Sequence, residues 1–247
     1  MKQEAQMKND SNQHLSWRVL MMMSCTVGVI VAIGIHWMGI GATSDSVDYL
    51  TAATFWKYKS EIVLQPFWPP LYPLVLSWLS FGFIGDTASW VSGISFGLLL
   101  LSMVVFLKHL HVRPLFAGVA VLFCTLWKEL FYVFRFAWSE HFYAGLLALH
   151  FALLVRHIYK PTRGRYIAVM LSVVAVVMTR YIGYALLAQF CVYLIVSLWK
   201  RGERVRSWIE HFGALVLSLI PHCCWLYFNV QRSGGLHGKR SPAVLTF

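Results

Sequence analysis

The chain is poor in charged residues. Asp, Glu, Lys and Arg together make up only 13% of its 247 residues, about half of the ~25% that soluble domains carry. Hydrophobic residues make up 58% instead. So little charge argues against a soluble globular domain and favours a protein embedded in a membrane. The eleven Trp and eleven Tyr suit such a protein, because these rings settle at the two membrane–water interfaces.

The chain also lacks the patterns of a metal site and of an RNA-binding module. Its five cysteines have neither CxxC nor Cys/His metal spacing, so we expect them to be ordinary buried apolar side chains. No RNA-binding motif and no basic low-complexity tail accompanies the net charge of +11. The excess of Lys and Arg is therefore assigned to the cytoplasmic loops of a membrane protein, and no nucleic acid partner is predicted.

Apolar runs separated by charge clusters predict an all-α, polytopic transmembrane helical bundle. A span of a bilayer needs about 20 apolar residues in a helix. About seven runs approach or reach that length: Trp17–Ile40, Ser89–Leu107, Leu115–Leu126, Phe142–Val155, Tyr166–Met178, Tyr184–Trp199 and Phe212–Val230. Two further segments are predicted to be interfacial or re-entrant helices rather than spans, Ser46–Lys59 and Leu71–Ile84.

Three regions follow from this pattern. Residues 1–16 are polar and expected to form a disordered cytoplasmic tail, residues 17–230 form the transmembrane domain, and residues 231–247 form a Gly-rich, basic segment that we expect to be a truncated end. With the N-terminus in the cytoplasm, most of the Lys and Arg fall inside and most of the acids outside. The positive-inside bias thus predicts a multi-pass protein of the inner (plasma) membrane with its active face extracytoplasmic.

Two carboxylates follow the first predicted span. Asp45 and Asp48 stand just outside the membrane in this topology, where a carboxylate could act as a general base or bind a divalent cation. The alternative is helix capping, because Ser44 or Asp45 would make a good N-cap for a helix that begins at Ser46. No ligand spacing demands a metal, and no cofactor is predicted.

The order of motifs in this loop resembles a known family. Asp45 stands four residues before Tyr49, and the segment Pro69-Pro70-Leu71-Tyr72-Pro73 follows. This arrangement is similar to the first periplasmic loop of the GT-C superfamily of membrane glycosyltransferases, nearest the protein-mannosyltransferase and aminoarabinose-transferase group. The resemblance covers the N-terminal half of the family and essentially this whole chain.

The resemblance implies a function and assigns roles. Family members transfer a sugar from a polyprenyl-phosphate sugar to an extracytoplasmic acceptor, and an acid after the first span is the catalytic base. Asp45 matches that acid, and the family's adjacent acid is replaced by Ser46, which leaves Asp48 as the possible substitute. The loop that meets the substrate would include four residues: Tyr49, Pro69, Pro70 and Tyr72.

Later segments fit the same resemblance. Glu140, which opens a predicted span, matches a second acid of the family, although the helix dipole alone would also favour a carboxylate there. Arg180 lies between two predicted spans and could bind the lipid phosphate or could snorkel to the interface. Lys239 and Arg240 in the Gly-rich segment are further phosphate-binding candidates, unless that segment is a plain linker. His141 is a weaker candidate.

Two other functions stay open at this point. Family members are usually longer, so the chain could be a truncated, non-catalytic membrane subunit or could need a partner subunit that completes the fold. A transporter or flippase of a lipid-linked substrate is the second alternative, because an intramembrane Arg and clustered acids also mark substrate paths. In every case membrane lipid surrounds the protein.

Overall fold

The computed structural model describes residues 2–59, 68–201 and 205–233, and every regular element within these ranges is helical. The only other backbone pairing there is a single β-bridge. The ten α-helices are α1 Lys2–Met38, α2 Ser44–Tyr58, α3 Leu71–Leu79, α4 Ile84–His109, α5 Pro114–Leu126, α6 Lys128–Arg135, α7 Ser139–Tyr159, α8 Arg163–Val177, α9 Tyr184–Arg201 and α10 Val205–Ser233. A 3-10 turn, Tyr181–Gly183, separates α8 from α9. The all-α prediction is confirmed.

Several helices are long and apolar enough to span a membrane. Among the described residues three pass this test, namely Leu15–Met38 of α1, α4 and α7, and a fourth crossing results if α5 and α6 count as one span bent by 58°. The predicted number of about seven is not confirmed. One reason is the length of α8, because its 15 residues extend only about 22 Å, less than the ~30 Å of a bilayer core.

The first and fourth helices pack against each other closely and in opposite directions. Gly28 of α1 faces Gly97 of α4, and a Cβ built on Gly28 would lie 2.6 Å from the Gly97 Cα. Such close approach of backbones is the usual way in which membrane helices pair. His36 near the end of α1 lies 3.7 Å from Asp86 in the first turn of α4. The end of the bundle where α1 finishes and α4 begins is called the upper end below, and the opposite one the lower end.

Helices α2 and α3 lie at the upper end without crossing the bundle. The Lys57 ammonium near the end of α2 donates hydrogen bonds to the Ser80 carbonyl (2.8 Å), the Ser80 hydroxyl (2.9 Å) and the Gly82 carbonyl (3.1 Å), in the turn after α3. The nine residues of α3 extend about 13 Å, too short to cross a bilayer. The predicted helix at Ser46–Lys59 and the short element after the double proline are therefore both present.

Helix α7 starts at the upper end and runs parallel to α4. The Gly41 N–H donates to the Arg135 carbonyl (2.8 Å), and the Ala137 N–H donates to the Gly41 carbonyl (2.9 Å). These two bonds join the segment before α2 to the segment before α7. Farther along, Gly145 of α7 packs on Ser95 of α4, since a Cβ there would lie 2.9 Å from the Ser95 carbonyl oxygen. The bent pair α5–α6 thus returns the chain from the lower end to the upper end.

The break between α8 and α9 also lies at the upper end. The Leu71 N–H at the start of α3 donates to the Met178 carbonyl at the end of α8 (2.9 Å). Gly183 packs against the last turn of α8, where a Cβ would lie 2.9 Å from the Val176 carbonyl oxygen. The predicted interruption around Arg180 is confirmed, and its cause is a one-turn 3-10 segment followed by a new helix start.

Three expectations differ from the structure. Thr43, rather than Ser44 or Asp45, is the N-cap residue of α2, which begins at Ser44. Residues 2–16, expected to be disordered, belong to α1, and this polar stretch contains no Gly or Pro to interrupt a helix. The five cysteines, expected to be buried, are not: Cys124 and Cys191 are half-buried, and three lie exposed on helix faces directed away from the bundle, namely Cys25, Cys223 and Cys224.

Candidate functional site

An ion pair between α7 and the α8–α9 break forms the centre of the candidate site. Glu140 lies in the first turn of α7, and its carboxylate pairs with the Arg180 guanidinium. Arg180 also donates to the Ser139 hydroxyl (3.3 Å), and its guanidinium lies 6.0 Å from the centroid of the Trp68 ring. The two charged side chains keep 25% and 39% of their surface exposed, so a ligand can still reach them.

Tyr49 of α2 joins this network through a hydrogen bond with Ser139. Its hydroxyl lies 2.8 Å from the Ser139 hydroxyl, so that Tyr49, Ser139 and Arg180 form a continuous chain of hydrogen bonds. Only 2% of Tyr49 is exposed, and this burial raises the pKa of its phenol far above the ordinary value. Tyr49 therefore stays neutral and keeps its proton as a hydrogen-bond donor.

Asp45 lies close enough to this network to act on it electrostatically. It occupies the first turn of α2, four residues before Tyr49, and is half-buried. After burial, the charges of Glu140 and Asp45 raise the pKa of Tyr49 further, whereas the Ser139 hydrogen bond and Arg180 lower it. The other acid of the loop, Asp48, is exposed on the same helix.

The segment with the double proline, Pro69–Pro73, supplies a buried aromatic side chain to the site. Tyr72 is fully buried, and its hydroxyl lies 3.3 Å from His141 Nε2. Its ring packs edge-on against Tyr49, with centroids 5.3 Å apart, and burial raises the pKa of its phenol as well. Pro69 and Pro70 are buried beside it. The segment is thus a support for Tyr49 and His141 rather than an exposed loop.

Most of the predicted site residues meet at this place. Asp45, Tyr49, Tyr72, Glu140 and Arg180 are drawn from four separate stretches of the chain and share the upper end. Lys239 and Arg240 lie outside the described residues. The C-terminal part of α10 lies at the upper end, since Phe228 of α10 contacts Trp56 of α2, with ring centroids 6.4 Å apart.

Sequence reasoning missed two members of the site. Ser139 connects Tyr49 with Arg180, but a serine beside an acid carries no signal of its own. Trp68 stacks on Tyr49, at 5.8 Å between centroids, and on Arg180. The only hint in the sequence is that Trp68 directly precedes the double proline, three residues before the helix that begins at Leu71.

Two buried polar atoms of the site have no hydrogen-bond partner among the described residues, namely Oε2 of Glu140 and Nδ1 of His141. Oε2 keeps acceptor capacity while Oε1 holds Arg180, and because Oε2 is buried, a ligand hydroxyl reaches it only when the carboxylate turns. Among all residues that the structure describes, no group of three His, Cys, Asp or Glu side chains could hold a metal ion. The chemistry available is proton acceptance by carboxylates and binding of an anion by a guanidinium.

Comparison of the chain with models of protein families, with curated proteins and with solved structures found no match.

Proposed function

We propose that this protein is a membrane glycosyltransferase that moves a sugar from a polyprenyl-phosphate sugar to an acceptor hydroxyl on the extracytoplasmic side. One observation supports it above the others. Asp45, Glu140 and Arg180, which the motif order singles out, share one end of a helical bundle with several membrane-length helices. A base and an anion-binding group are thereby available at one level of the membrane.

The reaction assigns a role to each group. The acceptor oxygen attacks the anomeric carbon, and its proton passes to the Asp45 carboxylate. The bond between that carbon and the phosphate oxygen breaks, and the electron pair stays on the polyprenyl phosphate. Arg180 stabilises the negative charge that develops there, with Lys239 and Arg240 as further candidates for the same phosphate. Donor binding therefore draws Arg180 partly away from Glu140.

Glu140 serves the acceptor side of this proposal. Its Oε1 pairs with Arg180, whereas its buried Oε2 has no partner among the described residues and can accept a hydrogen bond from the acceptor sugar or lipid when the carboxylate turns. Tyr49 and Ser139 hold the guanidinium in place between the two substrates. The upper end faces the outside in this proposal, since the loops of the lower end carry the dense basic clusters.

The first test is native mass spectrometry of the purified full chain, which shows co-purified lipid without a guess about the sugar. We expect a bound mass that matches a polyprenyl phosphate or its glycoside, and a roughly tenfold lower occupancy in Arg180→Gln, as a lost charge-assisted contact implies. The matched control is Arg135→Gln, which removes an exposed cation at the end of α6, on the same end of the bundle. Retention of bulk phospholipid alone would contradict the proposal.

The second test concerns the base. With a labelled donor of the class found above, transfer to acceptor should fall by about 10²-fold or more in Asp45→Asn and should not change in Asp86→Asn, an exposed acid at the same end. The same measurement on Asp48→Asn decides between the two acids of α2, because only the variant of the true base should lose transfer. Full transfer activity in Asp45→Asn would exclude this residue as the base.

A further inference from the structure

We propose that the lower end of the bundle is a binding surface for anionic phospholipid headgroups. This inference does not depend on the transferase proposal. Two loops form the surface, the one between α4 and α5 and the one between α7 and α8, together with the helix turns that flank them. They carry six cations and no acid: Lys108, Arg113, Arg156, Lys160, Arg163 and Arg165.

The two loops meet in space, so that their charges add. Tyr159 at the end of α7 packs against His111, with ring centroids 5.6 Å apart, and against His109, at 6.4 Å. His111 adopts a left-handed backbone conformation, with φ of 57°, and its N–H donates to the Lys108 carbonyl (3.2 Å). The α4–α5 connection is therefore a closed turn that holds its cations next to those of α7 and α8.

Some of these cations have a role within the protein. Arg165 donates to the Arg156 carbonyl (2.9 Å) and to the Lys160 carbonyl (3.1 Å), so it caps the C-terminal end of α7. Lys108 and Arg156 lie in the last turns of α4 and α7, where the helix dipole favours positive charge. These contacts explain half of the cluster without any ligand.

Two of the other three cations stand where the helix dipole disfavours them, whereas Lys160 is the C-cap residue of α7, where the dipole favours a cation. Arg113 is the N-cap residue of α5, and Arg163 is the first residue of α8. Helix N-termini carry partial positive charge and attract anions, so an arginine there is repelled. Among the described residues, Arg113, Lys160 and Arg163 make no side-chain hydrogen bond or ion pair. An anion from outside the chain would balance all three.

The position of the surface identifies the anion. The loops lie where α4 and α7, both of membrane-spanning length, reach the lower end, which is the level of the lipid headgroups. A phosphate diester of the surrounding membrane is therefore the nearest anion at high local concentration. Two helix N-termini and three unpaired cations match the single negative charge of a lipid phosphate diester, which needs no further specific contacts.

The test compares two triple variants of the full chain in detergent. Arg113→Gln with Lys160→Gln and Arg163→Gln removes the unpaired cations, and Lys59→Gln with Lys128→Gln and Arg135→Gln removes three exposed cations outside the two loops. Native mass spectrometry counts bound dioleoyl phosphatidylglycerol and dioleoyl phosphatidylcholine. Thermal unfolding in phosphatidylcholine alone shows whether each variant is folded.

We expect wild type and the second variant to retain phosphatidylglycerol preferentially, and the first variant to bind it at least about tenfold more weakly. Equal retention of the two lipids by wild type would overturn the proposal, and so would an equal loss in both variants. Displacement of the lipid by excess inorganic phosphate would show a free-phosphate site instead. Salt-resistant binding of a single-stranded oligonucleotide, lost in the first variant only, would point to nucleic acid and also overturn it.

Discussion

The Arg180 guanidinium pairs with the Glu140 carboxylate across two helical segments that are distant in sequence. Both side chains are partly exposed, so solvent weakens their attraction and leaves the pair open to exchange with a charged ligand. An arginine held in this way is oriented before a ligand arrives, and it loses little conformational freedom when the ligand binds.

The energy of this pair can be measured by a double-mutant cycle. We expect Glu140→Gln and Arg180→Gln to be coupled by about 1 kcal/mol in the free energy of unfolding, because the pair is half-exposed. The control cycle uses His36→Asn and Asp86→Asn, whose side chains are 39% and 59% exposed and 3.7 Å apart. That cycle should give a coupling near zero. Equal coupling in both cycles would show that the first pair is an ordinary surface contact.

The contact between α1 and α4 predicts a difference between two glycines of the same helix. Gly28→Ala places a Cβ 2.6 Å from the Gly97 Cα, so the helices must separate, at a cost of about 1–3 kcal/mol in the free energy of unfolding. Gly34→Ala meets no atom within 4 Å and should leave stability unchanged or slightly higher. Thermal unfolding in detergent measures both. A stable Gly28→Ala variant would argue against the close crossing.

The buried phenols predict a defined response to alkali. Burial raises the pKa of Tyr49 and of Tyr72 in the folded protein, whereas an unfolded chain releases these protons near pH 10. Their contribution to stability is therefore complete below about pH 10 and is lost as the pH rises through the folded pKa. We expect stability to fall above that pH, with both phenols protonated until the protein unfolds.

Absorbance of tyrosinate during a pH titration checks this expectation. Tyr49→Phe and Tyr72→Phe should not change the amplitude before unfolding, because neither phenol ionises in the folded protein. Tyr58→Phe, which removes a phenol that is 60% exposed, serves as the control variant. A lower amplitude in Tyr49→Phe would mean that solvent reaches the Tyr49–Ser139 pair.

The arrangement of α2 and α3 predicts which residues label from the same side of the membrane. In a chain without its own cysteines, Ala42→Cys and Phe81→Cys should react with a membrane-impermeant maleimide from one side. Gly164→Cys should react from the other. All three positions are exposed, and α3 is too short to separate the first two. Labelling of residues 81 and 164 from one side would show that α3 crosses.

Local sequence pattern was sufficient for most of the helices. The apolar runs predicted α1, α4 and α7, and Thr179-Arg180-Tyr181 predicted the break after α8, because an arginine is costly in the middle of a span. The number of spans was harder. An apolar run does not give the length of its helix, because α8 reaches from the lower end to the upper end with only 15 residues, fewer than the about 20 of a usual span.

The site was predictable as a set of residue types but not as a set of contacts. Asp45, Glu140 and Arg180 were each singled out alone, whereas the pairing of Arg180 with Glu140 depends on how α7 and α8 pack. The cap of α2 was wrong for a similar reason. Thr43 accepts a hydrogen bond from the Trp138 indole (2.7 Å), a contact with a distant segment that no local rule contains.

The backbone bonds of Gly41 to Arg135 and Ala137 have a consequence for which residues of this protein can be substituted. They tie together the starting points of α2 and α7, which carry Asp45 and Glu140, through main-chain atoms, in addition to the side-chain bond of Trp138 to Thr43. These two main-chain bonds do not depend on the side chains that surround a substrate. Those residues can be exchanged, in evolution or by design, to suit another ligand while the acids keep their places, provided that position 41 remains glycine, since a Cβ there would collide with the Phe136 ring.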